Sequence, residues 1–155
     1  MNPIRVFVTH TFRESDDYLR VFEFLESVER FFYLNVSRPE NIPAAGGMQA
    51  IKDELLAQIK QAEAVIVVSD ALAEQGDLVR YSIDTAEANG IGTIAIRPYG
   101  GVMDMPDDIT SRVNENIQWN SREIVDAIKR QGRGEDSARW ETIDFPGFDA
   151  DGETQ

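Results

Sequence analysis

Two rhythms of apolar residues alternate along the chain. Residues 4–9, IRVFVT, are apolar and β-branched and give way to the polar stretch THTFRESDD, which predicts a buried strand followed by a loop. Ser15 is placed to cap a helix whose first turn carries Asp16 and Asp17, where the helix dipole favours negative charge. Tyr18, Phe22, Leu25 and Val28 then recur at three- and four-residue spacing, and Val21 and Phe24 widen the stripe, so this helix lies on a sheet. The aromatic and β-branched run FFYLNVS at 31–37 predicts a second strand, ended by Arg38-Pro39. RPENIPAAGG at 38–47 reads as a loop, with its Gly46-Gly47 pair giving flexibility before the next helix.

From Met48 to Ala62, Ile51, Leu55, Leu56 and Ile59 mark a second amphipathic helix. AVIVVS at 64–69 is apolar almost throughout, the pattern of a strand covered on both faces and therefore parallel to its neighbours. A third helix is predicted over Asp77–Asn89 with a stop at Asn89-Gly90, and GTIAIRP at 92–98 repeats the buried-strand pattern. NIQW at 116–119 gives a weaker fifth strand. Asn120 or Ser121 then caps a last helix with Ile124, Val125 and Ile128 facing inward. Alternating strands and helices with short connections predict a doubly wound α/β fold. Its parallel sheet has about five strands in the flavodoxin-like order 2-1-3-4-5, with helices on both faces.

Composition narrows the chemistry. A chain of 155 residues suits one core. The absence of cysteine excludes structural disulfides, thiolate metal sites and cysteine nucleophiles, and His10 is the single histidine. The N-terminal apolar run is too short for a secretory signal and no segment reaches a membrane-spanning length, so a cytoplasmic location is expected, with no membrane partner. Fifteen Lys and Arg against 28 Asp and Glu give a net charge of −13, which argues against a nucleic-acid partner. A domain is expected over residues 1–131. The tail over 132–155 carries, from Gly134 onward, seven acidic residues and one basic one. Its Trp140, Ile143, Phe145 and Phe148 are anchors that can pack back on the domain or engage a neighbour.

In such a sheet, ligands bind outside the carboxyl ends of the strands, beside the switch point. The loops from Thr9 to Ser15, Ser37 to Gly47 and Ser69 to Asp77 are therefore the candidate site. Thr9, His10 and Phe12 offer a hydroxyl, an imidazole and a ring, a mixture suited to nucleotide phosphate, ribose and base. His10 reads more simply as a hydrogen-bonded strand-end side chain, and Ser37 equally as a turn-forming hydroxyl. No GxGxxG or Walker glycine loop follows the first strand, which disfavours a Rossmann dehydrogenase and a P-loop NTPase.

Several motifs then fall in a recognisable order: VFVTH at 6–10; Asn35, Ser37 and Pro39; Leu78, Ser82, Ile83, Asp84, Ala86 and Gly90 in the third helix; Arg97-Pro98-Tyr99-Gly100; Trp119-Asn120 and REIVDAIKR at 122–130. Across residues 4–130 the chain resembles the bacterial TIR-like family. The resemblance implies a pocket for NAD or a related nucleotide, as ligand or substrate rather than as a permanently bound cofactor. Thr9, His10, Phe12, Ser37 and Ser82 would line it. It also implies association with a second copy or other TIR-like chains, in bacterial signalling or anti-phage defence. In active members a glutamate stabilises the cation-like ribose as the nicotinamide bond breaks. In the matching register that position is Ser82, and the family's tryptophan is Leu78. Asp84 and Glu87 fall on other faces of the helix, while Glu74 and Asp77 would reach the pocket only by rearrangement. A glycohydrolase or cyclase would thus lack its usual acid, and a non-catalytic interaction or oligomerisation module is the alternative. A receiver-like domain is a third reading, with Asp70 after the third strand and Arg97-Pro98 after the fourth. Thr9-His10 replaces the acidic pair that would bind its Mg²⁺.

Overall fold

A computed structural model describes residues 2–101 and 103–135; the tail anchors beyond them lie outside the described residues. The chain alternates strands and helices: β1 (Ile4–Val8), α1 (Asp16–Glu26), β2 (Tyr33–Asn35), α2 (Gly47–Ile59), β3 (Ala64–Val67), α3 (Ser69–Glu74), α4 (Gly76–Ala88), β4 (Gly92–Ile96), α5 (Asp107–Thr110), β5 (Glu115–Ile117) and α6 (Ser121–Arg133). All pairings are parallel and the sheet order is β2-β1-β3-β4-β5, as the alternating pattern predicts. Helix α1 packs against α6 and α2 against α4, while α6 reaches β1, β3, β4 and β5, so the sheet is covered on both faces.

Each strand's composition matches its cover. β3 is buried at every position, and Val6, Phe7 and Val8 of β1 are fully buried, as central strands between two helical layers must be. Tyr18, Val21 and Leu25 of α1 and Leu78, Val79, Ile83 and Ala86 of α4 are the inward stripes that cover them. Ser15 caps α1 by accepting from the Tyr18 amide at 3.3 Å. Asn120 caps α6 through the Glu123 amide at 2.9 Å.

The differences from the sequence pattern have local causes. β2 is shorter than the FFYLNVS run, and Phe31, just before it, stacks on Tyr33 with ring centroids 5.8 Å apart. Gly46 and Gly47 form a left-handed turn with φ of 103° and 64°, and a Cβ on Gly46 would stand 2.7 Å from that of Ala50. Glycine is thus required there to start α2. The stretch Ser69–Glu74, expected as loop, is the short helix α3. Helix α6 carries through residue 132, where the composition changes, and stops at Gly134 with φ 68°.

Candidate functional site

The order β2-β1-β3 reverses direction beside β1, so the loops after β1 and β3 meet at the carboxyl end of the sheet. The crevice expected there is bridged by two helix starts that cap each other. Asp70 accepts from the Ser15 hydroxyl at 2.8 Å and from the Asp17 amide at 2.9 Å, and Asp17 accepts from the Asp70 amide at 3.2 Å. Burial first, and the Asp70 charge second, push the Asp17 carboxyl above the usual carboxylate range. Arg20 pairs with Asp17, and its guanidinium lies 3.7 Å from the centre of the Tyr99 ring. A little farther out, Glu74 at the end of α3 accepts from Thr11 Oγ1 at 2.9 Å and from Arg13 Nε at 2.8 Å, fastening α3 to the β1 loop. The Arg13 bond is the main cause holding the Glu74 carboxyl below its ordinary value.

Four of the five residues expected to line a nucleotide pocket are buried and bonded within the protein. Thr9 Oγ1 accepts from the Val68 amide at 3.1 Å, tying the end of β1 to β3. His10 is 1% exposed; its Nδ1 accepts from the Phe12 amide at 3.1 Å and its Nε2 meets Gln58 Oε1 at 2.9 Å. Gln58 Oε1 also accepts from the Arg38 amide at 2.8 Å, and Gln58 Nε2 donates to the Arg38 carbonyl at 3.0 Å and to Glu54 at 2.9 Å. With Oε1 thus the acceptor, Nε2 of His10 carries the proton and the imidazole is neutral. Burial holds its pKa below the ordinary value, outweighing the Gln58 bond and the charges of Glu40 and Glu54. Ser37 is held by Asn35 and by the Tyr18 hydroxyl at 3.2 Å. Ser82 is fully buried and donates to the carbonyl of Leu78 at 2.9 Å, one turn back in α4.

Phe12 is the exception. It takes a left-handed φ of 65° and lines an open cleft of about 470 Å³ with Arg13, Glu14, Pro39 and Glu40. A second open cleft of about 500 Å³ lies where the start of α2 faces the α3–α4 junction, lined by Met48, Leu72, Gln75, Gly76, Asp77, Leu78 and Arg80. Both volumes fall in the range of small-molecule sites. Asp77 lines this second cleft, which holds none of Thr9, His10, Phe12, Ser37 and Ser82. Arg80, which also lines it, is held by Asp108 at 2.7 and 3.2 Å. Residues 69–77 belong to the expected candidate site, but as a loop; the good helix formers Ala71, Leu72, Ala73 and Glu74 behind Ser69-Asp70 are the signal for α3.

The remaining acids of α4 serve elsewhere: Asp84 and Glu87 both hold Arg112, at 2.5 and 2.8 Å. Among the described residues, no three His, Asp or Glu side chains converge as metal ligands, and no helix is long and apolar enough to cross a membrane. No protein-family model matches the chain, and comparison with curated proteins also finds no match.

Proposed function

We propose that the chain is a TIR-like signalling domain that binds NAD or a related nucleotide in the cleft between α2 and the α3–α4 junction, and leaves it uncleaved. The observation that carries this reading is the lining of that cleft. Met48, Leu72 and Leu78 supply an apolar wall for a ring, Gln75 and Asp77 supply groups for ribose hydroxyls, and Arg80 supplies a cation that phosphate would share with Asp108. The parallel sheet in 2-1-3-4-5 order, with the cleft at the helix start that follows β3 and α3, agrees with it. The motif resemblance from VFVTH to REIVDAIKR supports the family, and with it a role in bacterial signalling or defence.

Catalysis is the weaker part of the family expectation. Stabilising a cation-like ribose calls for a carboxylate aimed into the pocket. The helix position expected to supply it carries Ser82, whose hydroxyl is spent on the Leu78 carbonyl behind the cleft wall. Calorimetric titration with NAD and ADP-ribose tests the reading: saturable binding, weakened by Asp77→Ala and by Arg80→Ala, is expected. The absence of binding by either ligand would leave the alternative, an interaction module. The internal bonding of Thr9, His10, Ser37 and Ser82 favours that alternative, since each reads as a structural group.

A further inference from the structure

β2 is an outer strand of the sheet, and its two sides are treated unequally. Tyr33 packs inward between Phe22 and Phe31 and donates to Glu26 at 2.6 Å. Phe32 and Leu34, on the alternate side, are 56% and 50% exposed. Leu34 is in register with Arg5, whose Nε donates to the Gln61 carbonyl at 2.7 Å and leaves the side chain half exposed. Arg30, just before the strip, and Lys60, at the end of α2, are exposed cations. Glu63 accepts from the Arg5 amide at 2.9 Å and pairs with its guanidinium at 3.5 Å, and is held more closely by Arg133, at 2.7 and 3.0 Å. The result is an apolar strip on a sheet edge with a cationic border, a surface that proteins ordinarily cover.

The chain leaves α6 at this same end of the sheet. Arg133 donates to the Pro3 carbonyl at 3.1 Å, and the next residue, Ile4, donates its amide to the Phe32 carbonyl at 3.1 Å. Phe32 is therefore one strand spacing, about 4.8 Å, from the strand that the helix end touches. Trp140 follows five residues after Glu135, a reach of up to about 17 Å, enough to pass round the sheet edge. The stretch WETIDFPGFD at 140–149 combines four large apolar residues with three acids. That is the complement of an apolar strip bordered by Arg30 and Lys60, with Arg5 shared with Glu63.

We propose that residues 140–148 dock on the Phe32–Leu34 strip of their own chain, with the segment's carboxylates toward the bordering cations. The contact lies at the amino ends of β1 and β2, opposite the clefts, and so stands or falls independently of nucleotide binding.

The absence of cysteine permits a direct test in the 155-residue chain. Under mild oxidation, a Leu34→Cys/Phe145→Cys variant is expected to form an intramolecular disulfide about ten-fold more efficiently than a Leu19→Cys/Phe145→Cys control. Leu19 is comparably exposed, at 44%, but lies on α1. Molar salt, with a Debye length of about 3 Å, lowers the yield by screening the carboxylates. Equal yields from the two pairs, or a disulfide that chiefly joins two chains, overturns the proposal. Hydrogen exchange of residues 31–36 supplies a second readout: Phe145→Asp/Phe148→Asp should speed it, and unchanged exchange counts against the contact.

Discussion

The Ser82 hydroxyl donates to the Leu78 carbonyl at 2.9 Å, and the two residues stand one turn apart on the same face of α4: Leu78 walls the open cleft and Ser82 is fully buried. Ser82→Ala is expected to change stability by no more than about 0.5 kcal/mol, since the helix keeps its backbone bond and alanine suits a helix interior. Ser82→Glu places a carboxylate in a fully buried site and is expected to cost about 3–5 kcal/mol. Urea unfolding of both variants measures the difference. A stable Ser82→Glu protein would show that the side chain reaches the cleft after all.

His10 gives stability a slope near neutral pH. Its pKa in the folded state lies below the ordinary imidazole value of 6.5, chiefly through burial. Between those two values the unfolded chain binds more protons than the folded one, so this contribution is complete above 6.5 and falls as pH drops toward the folded value. The slope is at most about 1.4 kcal/mol per pH unit, and His10→Gln should flatten it. As the single histidine, its ring resonance can be followed directly. A midpoint at or above 6.5 contradicts the assignment.

Asp17 works with the opposite sign. Its folded pKa is raised above 3.8 by burial and then by Asp70, so between the two values the folded state holds the extra proton. Its contribution therefore falls as pH rises through the folded value. Asp17→Asn, which keeps an acceptor for the Asp70 amide, is expected to match or exceed wild-type stability at pH 7 while losing this dependence. Asp70→Ala, which strips acceptors from Ser15 and the Asp17 amide, is expected to cost about 1–2 kcal/mol. Thermal unfolding across pH separates the two. An Asp17→Asn protein well below wild type at neutral pH would mean that the Arg20 pair outweighs the buried charge.

Most of the fold was legible because strands covered on both faces, such as AVIVVS, and helices of eleven or more residues, such as α1, leave strong periodic patterns. Helices α3 and α5, with six and four residues, are too short for a stripe to register. All three expected segments lie at the carboxyl end of the sheet, the third largely as helix α3. The fate of their side chains was not legible, because burial depends on partners distant in sequence: Gln58 for His10, Val68 for Thr9, Tyr18 for Ser37. The cleft that Asp77 lines was not legible for a similar reason, since it forms where the start of α2 meets the α3–α4 junction, far apart in sequence.

One NMR titration of the isotope-labelled protein with NAD bears most directly on the proposed function, because amide shifts and the nicotinamide ring protons are read from the same sample. Saturable shifts confined to residues 72–80 and the start of α2, with the nicotinamide signals unchanged over hours, are the predicted result. Steady release of free nicotinamide, abolished by Asp77→Ala, would show a working active site despite Ser82. Shifts absent at saturating NAD would contradict nucleotide binding itself.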